Sequence, residues 1–248
     1  MTEMVLRERR GAAEHLVLNR PDKLNSLNVP VFQALDAHVR DIAANPAGVA
    51  VVVLRGAGRC FSAGHDLGDI AAGERLPEPN FQSKVIERLA ALPLPVITAV
   101  HCHCYTGALE LALAGDILLA AEGAKFADTH ARWALTPVWG LSQRLPRRVG
   151  SAKAREMMFT CRTYSGREAE AMGLANACLP DDAFLDGIDA WAAEITANSA
   201  FSHAANKRLL DSTDGLPLAA GLAHEVYRGE GVGPDMRERI AAFSARKG

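Results

Sequence analysis

The sequence predicts an α/β layered fold, because apolar runs of strand length alternate with stretches at helical spacing, and glycine-bearing turns separate the two. The strand signals fall at residues 15–19, 49–54, 96–100, 117–121 and 175–179. The unbroken run Val49-Ala50-Val51-Val52-Val53-Leu54 reads as a strand covered on both faces, the pattern of a parallel sheet.

The helices are taken in chain order. Residues 31–44 place Val31, Leu35, Val39 and Ile42 on one face, with Gln33, Asp36, Arg40 and Asp41 facing away. Leu111-Ala112-Leu113-Ala114 reads as a helix entered through a glycine turn after the third strand. Ser165-Gly166-Arg167-Glu168 spells a capping box, and Gly173 stands where that helix would stop. After Pro180 the strand signals vanish and helical stretches follow near residues 186–198, 202–211, 216–230 and 234–245. The chain therefore divides into a core, residues 1–183, and a helical C-terminal region, residues 184–248. A helical tail with few strands to rest on is expected to pack against a neighbouring subunit.

Of 248 residues, 49% are hydrophobic and 23% charged, enough for a large core in one domain or one domain with an appendage. With 27 basic against 29 acidic residues there is no positive field to hold nucleic acid or an anionic membrane. The longest apolar stretch, residues 89–100, is broken by Pro93 and Pro95 and falls short of the roughly 20 residues of a membrane helix. The start, Met1-Thr2-Glu3-Met4, leads into Arg7-Glu8-Arg9-Arg10 rather than the apolar run of a secretory signal. Five cysteines without framework spacing fit reduced thiols, so a cytoplasmic location is expected.

Two glycine segments carry the chemistry: Phe61-Ser62-Ala63-Gly64-His65-Asp66 and Thr106-Gly107-Ala108-Leu109-Glu110. Each follows a strand, and the second opens a helix. Glycine lets backbone approach a ligand closely, and the first N–H groups of a helix lack internal partners. Each segment can therefore aim a free donor at developing negative charge, as in an oxyanion hole.

Other sites fit less well. Gly56-Ala57-Gly58 follows a strand, but Phe61 stands where a dinucleotide fingerprint needs its third glycine. Ser62 and Ser142 lack the elbow of a serine hydrolase. His101-Cys102-His103-Cys104 offers ligand-type side chains, but successive residues of an extended chain point to opposite faces, so no metal site is expected. Glu110 sits one turn into an otherwise apolar helix, where a bare carboxylate is costly unless something uses it. With Thr106 as the cap, a capping acid belongs at position 109, which is leucine, so Glu110 reads as a catalytic carboxylate. Desolvation would raise its pKa and a helix N-terminus would lower it.

Four ordered blocks, Asn19 to Leu27, Phe61 to Leu67, Pro95 to Asp116 and Pro137 to Leu145, resemble the crotonase, or enoyl-CoA hydratase/isomerase, superfamily. The resemblance implies a crotonase-type spiral of ββα units whose helical C-terminal region builds homotrimers, often paired into hexamers. It implies oxyanion donors at the backbone N–H groups of His65 and Gly107, gripping the thioester oxygen of an acyl-CoA. Contacts to the adenine and pantetheine of coenzyme A fall near Lys23, Leu24, Ala63, Asp66 and Leu67. No cofactor beyond the coenzyme A of the substrate is implied.

Hydratases of this family use two glutamates around one water. The first falls on Glu110 and the second on His130, a departure from the pattern. An imidazole can donate or accept a proton near neutral pH, or can simply bond to Asp128 or to backbone. Hydration of a 2-enoyl-CoA is the expected reaction, with Glu110 as base and His130 as proton donor. Decarboxylation, isomerisation, carbon–carbon hydrolysis and CoA-ester binding without turnover stay open. The hydrolytic branch is weakened because Trp139 stands where its aspartate would be.

Overall fold

The computed structural model describes residues 3–245; Met1, Thr2 and residues 246–248, at the outer ends of the two expected regions, lie outside the described residues. In chain order its elements are β1 (Val5–Arg10), β2 (Ala13–Leu18), α1 (Val29–Ala44), β3 (Val51–Gly56), α2 (Leu67–Ala71), α3 (Phe81–Ala90), β4 (Val96–Val100) and β5 (His103–Tyr105). There follow α4 (Gly107–Ala112), β6 (Ile117–Ala121), β7 (Lys125–Ala127), α5 (Leu141–Thr160), β8 (Tyr164–Ser165), α6 (Gly166–Ala171) and β9 (Ala177–Leu179). Four helices end the chain: α7 (Phe184–Thr196), α8 (Ala200–Thr213), α9 (Leu218–Arg228) and α10 (Met236–Ala245).

The larger sheet runs β1-β2-β3-β4-β6-β9, parallel except for the antiparallel pair β1–β2. Its central strands are buried on both faces, which is why they read as continuous apolar runs. The smaller sheet is β5-β7-β8. A strand of the large sheet, a short strand of the small one and a helix recur as β4-β5-α4 and β6-β7-α5, giving the ββα spiral.

Strand β1 carries no apolar alternation, since Arg7, Glu8, Arg9 and Arg10 dominate it, and sequence patterning passed over it. It holds the sheet edge, where those charges find ion-pair partners such as Glu14 and Asp189. The three-residue strands β5 and β7 are too short to register a period of their own.

Helix α1 begins at Val29, two residues before its apolar periodicity, because the Asn28 side chain caps the Val31 N–H and Pro30 suits the first turn. Asp36, expected to face away, is buried between Arg40 and Arg88, which reaches it from α3. The capping box forms between Ser165 and Glu168, and Gly173 takes φ +77° just beyond α6.

One face of the large sheet packs with α1, α3, α4 and α5 in the main core. Phe184, Ile188 and Ala192 of α7 cover the other face, over Val51, Val53, Ile97 and Leu119. The helical region thus starts by closing the sheet, whereas α8, α9 and α10 bury no residue. Among the described residues no helix is long and apolar enough to cross a membrane.

Candidate active site

Three ββα units bring the site together by register. In the small sheet Cys104 of β5 pairs with Phe126 of β7, and an isolated parallel bridge sets Ser62 beside Cys104. His65 and Gly107, each three residues past an aligned position, therefore fall side by side, and Glu110 of the second unit and His130 of the third lie just beyond them.

The backbone at residue 64 must be glycine. Its φ is +105°, and a Cβ there would lie 2.5 Å from the Tyr105 carbonyl oxygen. Leu27 then fixes the next residue from one side: its N–H donates to the Gly64 carbonyl and its carbonyl accepts from the Asp66 N–H. A parallel bridge of this kind turns the N–H of the middle residue, His65, to the opposite side. There the His65 nitrogen lies 3.3 Å from the point a Cβ on Gly107 would occupy. Among the described residues neither the His65 nor the Gly107 amide has a hydrogen-bond acceptor.

Thr106 does not cap α4 as its position suggested. Its hydroxyl faces the Thr129 hydroxyl and accepts the Thr129 N–H instead, tying the start of α4 to the turn that carries His130.

Glu110 is 2% exposed. Its Oε1 accepts the N–H groups of Trp139 at 2.8 Å and Leu141 at 3.2 Å, so the carboxylate sits at the N-terminus of α5 rather than being served by its own helix. Burial pushes its pKa above the ordinary value, against those two N–H groups and the nearby His130, which pull it down. His130 and Asp128 are also buried. The His130 Nδ1 lies 2.6 Å from Asp128 Oδ1, which also accepts the His130 N–H. The Nε2 turns to Glu110, 3.7 Å from Oε2. Asp128 therefore holds one nitrogen of this ring, and the other faces a carboxylate.

These groups share a cavity of about 590 Å³ that also meets Ala63 and Leu67. Trp133, Leu135, Val138 and Trp139 give it an apolar wall. The Trp139 ring leaves no room at Gly107, where a Cβ would lie 2.5 Å from its Cζ3. Lys23, Leu24 and Asp66 stand off the cavity wall. Lys23 is exposed in the turn Pro21–Lys23, and the Leu24 carbonyl accepts the Ala63 N–H, which sets it beside the cleft. Asp66 caps α2 through the Gly68 N–H and accepts from Ser26 and Arg20.

The side chains of His101 to Cys104 part company. His101 bonds the Gly58 carbonyl, His103 meets the Tyr105 hydroxyl and Cys104 is buried in the core. Among the described residues no group of three or more His, Cys, Asp or Glu is placed to hold a metal. Sequence reasoning missed the N–H donors of Trp139 and Leu141, and the contacts of the Glu74 carboxylate with Val29, His65 and Gln82. Glu74 lies in the irregular stretch between α2 and α3, where no periodicity marks it.

Residues 8–229 match the family model described as enoyl-CoA hydratase/isomerase. The chain is 30% identical over 250 residues to a probable enoyl-CoA hydratase of Mycobacterium bovis, covering 99% of this chain and 96% of that one. It is also 30% identical over 256 residues to the 1,2-epoxyphenylacetyl-CoA isomerase of Escherichia coli, covering 100% and 97%. Among solved structures, an enoyl-CoA hydratase from Bacillus anthracis superposes with a TM-score of 0.90 at 29% identity, covering 98% of this chain and 96% of that one.

Proposed function

The chain belongs to the enoyl-CoA hydratase/isomerase family of CoA-ester enzymes, and from that premise we propose that it adds water to a 2-enoyl-CoA. The observation that carries the reading is the opposition of Glu110 and His130 across 3.7 Å, beside two amides that have no acceptor among the described residues.

In this reading the thioester oxygen accepts from the His65 and Gly107 N–H groups. Glu110 takes a proton from water as the water oxygen bonds to the β-carbon, and the π electrons move onto the thioester as an enolate held by the two amides. The α-carbon then takes the Nε2 proton of the His130 imidazolium, which Asp128 stabilises through Nδ1. Proton return from Glu110 to His130 restores both groups. Water and enoyl-CoA are consumed, and a 3-hydroxyacyl-CoA is formed. Lys23, Leu24, Ala63, Asp66 and Leu67 are assigned to the coenzyme A arm, on the side of the cleft where the Leu24 carbonyl meets Ala63. No cofactor beyond that coenzyme A enters the reaction.

A panel of acyl-CoA esters assayed with native protein, Glu110→Gln and His130→Ala tests this. Hydration of crotonyl-CoA that both substitutions abolish supports it. Double-bond migration without water uptake makes the protein an isomerase, and carbon dioxide release from a malonyl-type ester with crotonyl-CoA untouched makes it a decarboxylase. Binding with no turnover of any ester leaves a carrier of CoA esters.

The reading extends to a homotrimer, alone or paired as a hexamer, assembled through α8, α9 and α10 in a cytoplasmic setting. Leu210, Leu218, Val226 and Tyr227 stand exposed on helices that bury nothing, an apolar surface suited to a second subunit. A monomer by light scattering would remove this part.

A further inference from the structure

We propose that Glu74, outside the reacting centre, is a positioning residue that holds the His65 segment in its oxyanion geometry; this rests on the reading of the His65 and Gly107 amides given above. Glu74 lies in the irregular stretch between α2 and α3, yet its carboxylate is nearly buried. Oε1 accepts the N–H of Val29, the first residue of α1, at 2.9 Å. Oε2 accepts from the Gln82 side chain of α3 at 2.8 Å and meets the His65 Nε2 at 2.9 Å. One carboxylate thus joins a helix N-terminus, a buried amide and the imidazole of the residue whose backbone N–H faces Gly107. The stretch's other acid, Glu78, turns instead to Lys84 at the surface.

The imidazole also rests on Trp139, ring centres 4.6 Å apart. The same Trp139 fills the space over Gly107 and donates its N–H to Glu110. His65 is therefore clamped between a carboxylate and an indole that also borders the second amide and the base. Its ring lines the cavity, so a ring released from Glu74 can swing into the volume a thioester would fill. The Leu27 bridge fixes the backbone at Gly64 and Asp66, on either side of His65. The Gly64 carbonyl and the His65 N–H share one planar peptide, so the bridge sets the direction of the donor, and what the side-chain clamp restrains is a shift of the whole segment and entry of the ring into the cleft; a displacement near 1 Å of one donor is enough to lose about a hundredfold in rate.

The test compares native protein, Glu74→Ala and Glu74→Gln by kcat and KM on the preferred enoyl-CoA. Calorimetry adds the affinity for a thioester, acetyl-CoA, against its carbonyl-free thioether, S-ethyl-CoA. Glu74→Ala is expected to lower kcat about tenfold or more with KM within about threefold, and to erase the preference for the thioester. Glu74→Gln keeps an acceptor for Val29 and a polar partner for His65, and is expected to stay within about threefold of native. Native kcat and native thioester preference in Glu74→Ala overturn the proposal. Equal losses in both variants, with KM raised and the thioether bound as poorly as the thioester, also overturn it, since the carboxylate would then serve only to hold the fold together. A native protein that turns over no ester but prefers the thioester sinks the hydration reading alone, and the calorimetric pair then decides the role of Glu74. A native protein without that preference takes down both.

Discussion

The His130 ring is held by Asp128 at Nδ1, 2.6 Å away, and presents Nε2 to Glu110 from 3.7 Å. A carboxylate on one nitrogen fixes both the ring orientation and the tautomer, and stabilises the imidazolium when the other nitrogen gains a proton. Asp128→Asn keeps the size and removes the charge. It should lower kcat at least about tenfold with KM little changed, a smaller loss than the hundredfold to ten-thousandfold, roughly, expected for His130→Ala. Steady-state kinetics on one enoyl-CoA check both.

Burial holds the Glu110 pKa above the usual carboxylate value, so the base form disappears as pH falls through that raised value. The acid limb of the kcat profile should lie above the roughly 4.3 of a free glutamate. A limb at or below the free value would take the base role from Glu110.

The same shift makes a statement about stability. The carboxyl binds its proton more tightly when folded, so its contribution is fully present below the unfolded pKa and is lost as pH rises through the folded one. At neutral pH the ionised group is a burden on the fold. Glu110→Gln should therefore abolish turnover while raising Tm. Thermal melts at pH 7 read it.

Gly107→Ala places a methyl group 2.5 Å from the Trp139 ring and 3.3 Å from the His65 nitrogen. Overpacking of this kind costs about 1–3 kcal/mol, and a displaced donor costs about a hundredfold to a thousandfold in rate. Urea unfolding and kcat/KM measured on the same variant should show both losses.

His15 lies buried on β2 with neither ring nitrogen hydrogen-bonded among the described residues. Burial, aided by Arg10 and Arg55 and opposed by Asp189 and Glu8, lowers its pKa to about 4. The native state keeps this ring neutral while the unfolded chain protonates it near pH 6.5. Its contribution to stability is therefore present above about pH 6.5 and is lost as pH falls toward 4, an effect of about 3 kcal/mol. His15→Leu should flatten denaturant stability across that window.

By itself the sequence determined the alternation of strands and helices, the capping box at Ser165 and Glu168, and the two glycine segments, because burial period and turn chemistry are local properties of a chain. It also marked Glu110, since a lone acid among leucines and alanines stands out without any fold. Only the tertiary structure decided what surrounds that acid. The amides of Trp139 and Leu141 reach Glu110 from the next unit of the spiral, aligned by the register that sets Ser62, Cys104 and Phe126 abreast, while Asp128 behind His130 and Glu74 behind His65 are set by the folding of irregular stretches that carry no period. That register also left Thr106 facing Thr129 instead of capping its helix, and showed that burial outweighs the two N–H donors at Glu110. A spacing along one segment fixes which face its side chains share, whereas the partners they meet depend on how separate segments align, and no single stretch of sequence holds that information.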